Sequence, residues 1–501
     1  MPKQILRFLV ALALSTTLIS AQQPQSAGEH EQLPSHVQRL NRVPVNQDIL
    51  KVKLPHPKEV HLPNGLTLLV LEQHKLPTVS ITLWIKSGAL SDPKDLPGLA
   101  SFTADLLRDG TTKRSGTQIA SELDEIGAQF NGFAGFGSNF TSINASGLSE
   151  SVDKLMDLMS DIVLNPSFPA DELEKYVRRE KTALIQQRTD PGFLARERFN
   201  RAVYGDFPAA ILSPTVESLQ KATPVLLKEF HQAHYAPNNA IMGIAGDINV
   251  EQATTLVKKY FGQWKNHPVP NPPATSVTAV GPARIFLVDR PSSVQSNILA
   301  GGLSLRRGDP DEIPLTVANR VLGGGSAARL FMNLREEKGY TYGAYSRVSS
   351  SLYPGTFAAN TEVRNPVTEG SLHELMYEFK RLRDEKVPQS ELDDAKRSIV
   401  SSFALSLENP QSVLVRWMDA KYYGLPADYW DHYSDQVAKV DADTVQRMAK
   451  KYVDLDHLQI VVVGSAKDVR EAVGKYGTVQ VFDTDGKPVE AKAGSAASSG
   501  K

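Results

Sequence analysis

The chain has 501 residues, 41% apolar and 22% charged, a composition that fits a folded globular protein and excludes wholesale disorder. Its 55 Lys and Arg nearly balance its 56 Asp and Glu, a net charge of -1, so no overall field favours nucleic acid or an anionic membrane. It has no cysteine, which excludes disulfides, thiolate nucleophiles, Cys-ligated zinc and iron–sulfur clusters together.

The N-terminus carries Lys3 and Arg7, then a mostly apolar run over 8–19, then Ser20 and Ala21 before Gln22. This pattern predicts a cleaved signal peptide over residues 1–21 and a secreted protein, destined for the bacterial periplasm. No later segment has ~18 continuous apolar residues, so no membrane insertion is expected after cleavage. Residues 22–50 are polar and broken by prolines, and read as a linker or extended arm. Apolar, β-branched runs at 66–71 (LTLLVL) and 79–85 (VSITLWI) predict strands. Helical periodicity follows at 151–164 and at 170–189, the latter stopped by Asp190-Pro191. At 267–282 (HPVPNPPATSVTAVGP) the prolines forbid both helix and sheet, which makes this a linker between a domain over 51–266 and another over 283–485. Residues 486–501 end in small-residue low complexity and read as a disordered tail.

The two halves repeat each other. Shifted by 219 positions, Pro169 falls on Pro388, Glu172 on Glu391, Leu173 on Leu392 and Arg178 on Arg397. Pro191, Tyr204 and Gly205 fall on Pro410, Tyr423 and Gly424 in the same way. An offset held through some fifty residues marks a duplication. Strands and helices in mixed order, without βαβ regularity or a glycine phosphate loop, predict two homologous α+β domains in tandem.

Several segments then carry a resemblance. They are Gly98-Leu-Ala leading into a helix that ends at Gly110-Thr111, Asn165-Pro-Ser-Phe-Pro169 and Tyr235-Ala-Pro-Asn-Asn239. Ala245-Gly246-Asp247, Tyr260-Phe-Gly-Gln-Trp264 and Leu322-Gly-Gly-Gly325 follow in order. In these the chain resembles the pitrilysin/insulinase family of zinc peptidases over about 55–475. The resemblance implies tandem α/β-sandwich domains of the pitrilysin and mitochondrial processing peptidase type, forming a concave half-clam that pairs with a second half around a peptide.

The family's chemistry sits on its first helix as His-x-x-Glu-His: two imidazoles one turn apart hold zinc, and the glutamate activates the bound water. Registered on Gly98, Gly110 and Thr111, the histidine positions here are Ser101 and Asp105, and the base position is Ala104. Alanine transfers no proton. For the family's third ligand, a glutamate on a later helix, Glu180 and Gln186-Gln187 lie in the corresponding segment without a secure match. No metal is therefore expected on this chain, with zinc expected in a partner subunit. His231 and His234 lie three apart but read as packing residues, and His56, His61 and His74 stand singly.

The second half keeps another family feature. Arg335 and Tyr342, seven apart in REEKGYTY, match the family's substrate-clamping pair, which the resemblance implies holds a peptide carbonyl opposite the metal. Without the resemblance, Arg335 reads as a solvated helix face and Tyr342 as a half-buried strand residue. The expected function is a zinc-free, substrate-clamping subunit of a heteromeric periplasmic zinc endopeptidase. Its partners would be a homologous zinc-bearing subunit and a short or unfolded peptide, with no nucleic acid. The alternative is a peptide-binding or structural core protein of the same fold that hydrolyses nothing.

Overall fold

The structure, a computed structural model, describes residues 48–271, 276–277 and 281–489. The expected signal peptide, almost all of the 22–50 arm and residues 490–501 of the tail lie outside the described residues. Two mixed six-stranded sheets form the framework. The first contains β1 (Lys58–His61), β2 (Thr67–Glu72), β3 (Thr78–Ile85), β4 (Gln129–Phe133), β5 (Thr141–Leu148) and β6 (Ala240–Gly246), in the order β1-β2-β6-β3-β5-β4. The second contains β7 (Arg284–Asp289), β8 (Gln295–Leu303), β9 (Thr341–Val348), β10 (Thr356–Arg364), β11 (Gln459–Gly464) and β12 (Val479–Phe482), in the order β12-β7-β11-β8-β10-β9.

The duplication predicted from the sequence is visible as topology. Strands β2, β6, β3, β5 and β4 take the places of β7, β11, β8, β10 and β9, and β2–β6 and β7–β11 are both parallel pairs. The sixth strands differ in origin. β1 precedes β2 and pairs with it antiparallel, whereas β12 comes from the end of the second half and pairs parallel with β7. Helices obey the same offset: Ala170–Gln187 recurs as Gln389–Ser406, and Pro191–Tyr204 as Pro410–Tyr423. The latter two start alike, with Asp190 or Asn409 accepting a backbone N–H from the first turn and proline at the first helical position.

Those two proline-led helices cross between the halves. Helix Pro410–Tyr423 packs on β2 and β6 of the first sheet, and helix Pro191–Tyr204 packs on β8 and β11 of the second. The strands' period of two sets this up. In β2, Leu68 and Val70 face the helices of their own half, while Leu69 and Leu71 join Val413, Leu414, Trp417 and Met418 of the crossing helix. In β11, Ile460 and Val462 face their own half, and Val461 and Val463 join Phe193, Leu194, Phe199 and Val203. Central strands covered on both faces carry unbroken apolar runs, and β6 (AIMGIAG) and β11 (QIVVVG) are buried throughout.

Polar bonds reinforce the crossing. Trp417 Nε1 donates to the Pro55 carbonyl at 3.0 Å, Tyr353 Oη to the Gly137 carbonyl at 2.7 Å, and Asn139 Nδ2 to Tyr422 Oη at 3.0 Å. Among the described residues no helix is long and apolar enough to cross a membrane.

At the middle of β6, Gly243 lets the crossing helix come close: a Cβ there would lie 2.5 Å from Met418 Sδ and 2.8 Å from Leu414 Cδ2. Gly243→Ala is expected to destabilise the protein by about 1–3 kcal/mol through overpacking, measured by urea denaturation. An unchanged midpoint would show that the crossing helix has room to move.

Candidate functional site

The helix expected to carry the metal motif is Leu99–Asp105, shorter than the run to Gly110 that the sequence suggests. A 3-10 turn at Leu107–Asp109 follows, and it lets Leu106 and Leu107 both be buried in the core. At its start, Gly98 has φ 102° and no capping side chain of its own. Asp92 reaches back instead, accepting the N–H groups of Gly98 at 2.7 Å and Ala100 at 2.8 Å. Burial outweighs these two bonds and lifts the Asp92 carboxyl to about 7. A Cβ on Gly98 would also strike the Phe102 ring at 2.7 Å, so this sharp entry requires glycine.

Ser101 and Ala104 are buried on this helix. Asp105 meets the helix Ala170–Gln187, where Tyr176 donates its phenol proton to Asp105 Oδ2 at 2.7 Å. The Tyr176 ring stacks edge-on against Phe102, with centroids 5.6 Å apart, and the Arg179 guanidinium lies 5.0 Å from the centre of the Tyr176 ring. Burial raises the Asp105 pKa; the Tyr176 hydrogen bond opposes this, and the charge of Glu180, one turn beyond Tyr176, adds to it. Burial likewise raises the Tyr176 phenol, and the Asp105 charge adds to that.

The helix expected to bring the third ligand therefore brings an aromatic hydroxyl. Tyr176 is the residue that sequence reasoning missed, and its only signal was a position four before Glu180. Asp105 and Glu180 come together, whereas Gln186 and Gln187 lie at the helix's far end. The residues available are two carboxylates and the hydroxyls of Ser101 and Tyr176. Among the described residues no three His, Asp, Glu or Cys side chains are grouped to hold a metal. Catalytic zinc takes three protein ligands and an open position, so this donor set does not fit it.

The histidines belong to other structures. His231 is buried, with Nε2 bonded to the Val163 carbonyl at 2.8 Å, and burial lowers its pKa to about 4. His234 pairs through Nδ1 with Ser87 Oγ at 3.0 Å. His56, His61 and His74 pair with Asp431, Glu59 and Asp247.

Arg335 and Tyr342 both sit on irregular backbone. Arg335 lies in a π-helical stretch, Met332–Glu337, with its guanidinium 4.7 Å from the centre of the Phe331 ring and 3.7 Å from Glu336. Tyr342 is on β9, the outer strand of the second sheet, and the half-buried strand position expected for it is corrected to 93% exposure. The cause is a β-bulge. Thr361 faces Ala344 and Val363 faces Thr341, so Tyr342 and Gly343 together oppose Glu362. Thr341 Oγ1 holds the bulge, donating to the Glu362 carbonyl at 2.7 Å and accepting the Gly343 N–H at 3.0 Å. The phenol is thus carried away from the sheet and into solvent.

Comparison with known proteins finds relatives of both halves. Residues 68–207 match the family model described as Insulinase (Peptidase family M16), and residues 221–399 match the one described as Peptidase M16 inactive domain. A Mycobacterium leprae relative described as an uncharacterized zinc protease is 25% identical over 417 residues, covering 78% of this chain and 88% of its own. A similarly described Mycobacterium tuberculosis relative is 27% identical over 413 residues, covering 79% and 90%. Among solved structures, a peptidase M16 inactive domain from Pseudomonas fluorescens has TM-score 0.75 at 26% identity, covering 82% of this chain and 98% of that one. A Helicobacter pylori protease has TM-score 0.75 at 20% identity, a likeness of fold.

Replacing Asp105 tests the first of these sites. Its folded pKa stands above the ordinary 3.8, so its ionisation costs stability as pH rises through the folded pKa. Asp105→Asn, which can still accept from Tyr176, is expected to raise the denaturation midpoint near neutral pH, the gain shrinking as pH falls towards 3.8. A loss of stability at neutral pH would mean that the charged carboxylate is needed there.

Proposed function

The chain belongs to the insulinase (pitrilysin, M16) family of metallopeptidases, and on that premise we propose that it is a zinc-free, substrate-clamping subunit. In this reading a homologous subunit with an intact His-x-x-Glu-His helix supplies zinc and the general base. The complex is periplasmic and cleaves short or unfolded peptides admitted between the two halves.

One contrast carries the proposal. The metal position is closed over by the Asp105–Tyr176 hydrogen bond and lacks a base at Ala104, while Tyr342 is held 93% exposed on a purpose-bent strand. Undirected decay gives no reason for the second to persist beside the first. Arg335 and Tyr342 would donate hydrogen bonds to the carbonyl oxygen of the scissile peptide, and those bonds strengthen as negative charge develops on it. Guanidinium and phenol groups both offer hydrogen-bond donors, so the clamp works without transferring a proton on this side of the substrate.

Arg335→Ala or Tyr342→Phe is expected to lower kcat/KM of the reconstituted pair by about 10²-fold or more. Unchanged rates would remove the clamp assignment. The chain purified alone and dialysed against metal-free buffer is expected to hold essentially no zinc by elemental analysis. A full equivalent per chain would require a different ligand set and overturn the zinc-free reading. The closed metal position also favours a second reading, a peptide-binding or structural protein; failure to restore peptidase activity with a His-x-x-Glu-His subunit would select it.

A further inference from the structure

Arg335 and Tyr342 belong to different elements, a π-helical stretch and an outer strand, and a run of aromatic contacts joins them. Phe331, four residues before Arg335, is buried, and the Arg335 guanidinium lies 4.7 Å from the centre of its ring. The same ring meets Tyr345 of β9, with centroids 5.7 Å apart and planes tilted by 45°, a spacing at which aromatic pairs attract. Tyr345 in turn leans along its strand over Gly343, where a Cβ would lie 2.7 Å from Tyr345 Cε2 and 3.3 Å from Cζ. Gly343 is the residue after Tyr342 in the bulge. Its carbonyl accepts the hydroxyl of buried Thr361 at 3.1 Å, which fixes the backbone beneath the two rings.

What holds Arg335 decides what it can still do. Its side chain is 46% exposed, and Glu336, its neighbouring carboxylate, stands 3.7 Å away and is 49% exposed. That distance is too long for a hydrogen bond, and an ion pair so open to water contributes little. The Phe331 ring is the firmer support, because burial fixes the ring in place and its π-system attracts the cation. A ring also holds the cation without the paired hydrogen bonds a carboxylate takes, so the N–H donors stay available to a carbonyl oxygen. Arg114 in the first half shows the contrast: its Nε, Nη2 and Nη1 are committed to Glu122, Asp157 and Asp161 at 3.0, 2.6 and 2.8 Å.

We propose that Phe331 and Tyr345 are positioning residues for the clamp, an inference that rests on the reading of Arg335 and Tyr342 as that clamp. The two rings tie the Arg335 guanidinium to the bulged segment of β9, so that guanidinium and phenol present their donors to one peptide carbonyl as a unit. Phe331 has no donor of its own to offer a substrate and acts only through Arg335. Gly343 belongs to the same device, because any side chain there would lift Tyr345 off the strand.

Two measurements test this on separate grounds. In the reconstituted pair, Phe331→Leu and Tyr345→Leu are each expected to lower kcat about fivefold with KM little changed, and Tyr345→Phe, which keeps the ring, to recover the parental rate. Placed in Arg335→Ala, Phe331→Leu is expected to cost nothing further, whereas general damage to the fold would slow the double variant again. In the mature chain alone, modification of Arg335 by phenylglyoxal is followed by peptide mass spectrometry. Its rate is expected to rise about two- to fivefold in both leucine variants and to stay at the parental value in Tyr345→Phe. Phe331 is buried and its variant can lose stability, so half-exposed Tyr345 carries the same test from the surface. Unchanged Arg335 reactivity in both leucine variants, or a full cost of Phe331→Leu in the Arg335→Ala background, would overturn the positioning role. Unchanged kcat in Arg335→Ala, with raised reactivity in the leucine variants, would show instead that the rings hold Arg335 and that the clamp assignment is wrong.

Discussion

Each central strand in this fold has two faces to cover, and its own half provides helices for only one of them. Exchange of the two proline-led helices supplies the other. Leu414 and Trp417 seal the first sheet from the second half, and Phe193 and Phe199 seal the second sheet from the first. Each fully buried aliphatic or aromatic side chain is worth about 1.5–3 kcal/mol as an upper bound, so neither sheet can give up its borrowed helix cheaply. The two halves are homologous in sequence yet mutually dependent in packing.

The duplication and the fold class were legible in the sequence because they rest on spacing and on period-two apolar runs, which survive as patterns. The crossing was not, because a proline-led amphipathic helix does not state which sheet it will cover. At the degenerate metal position, glycine landmarks located Ser101, Ala104 and Asp105, and the structure puts all three on one short helix. What the sequence could not show is the occupant of the space. Tyr176 lies seventy-one residues from Asp105, and only the tertiary fold brings phenol and carboxylate to 2.7 Å. The resemblance singled out Tyr342 as a clamp residue, but its exposure was not legible, because a bulge changes no residue type; it changes only the count of residues opposite a partner strand.

The two halves also differ in their ionic contacts without loss of fold. A half-buried arginine bonded through all three of its nitrogens is a structural rivet, and Arg114 has that form between Glu122, Asp157 and Asp161. In the second half Arg329 pairs with Glu391, and Asn333 Nδ2 donates to Glu374 and Glu378. The scaffold tolerates the change because the charges remain locally balanced, and buried ionic groups are costly mainly when left unbalanced.

The bulge on β9 acts on more than one tyrosine. An outer strand with a regular ladder is a template on which another chain can add itself, and such edges drive unwanted association. Here the repeat of free backbone groups is interrupted at Tyr342 and Gly343, and the exposed charge of Arg347 follows five residues on. An incoming strand would lose its register at that step. The distortion that aims the phenol outward therefore also keeps the margin of the second sheet from serving as a seed for aggregation, so a variant that straightened β9 would trade monodispersity for regularity.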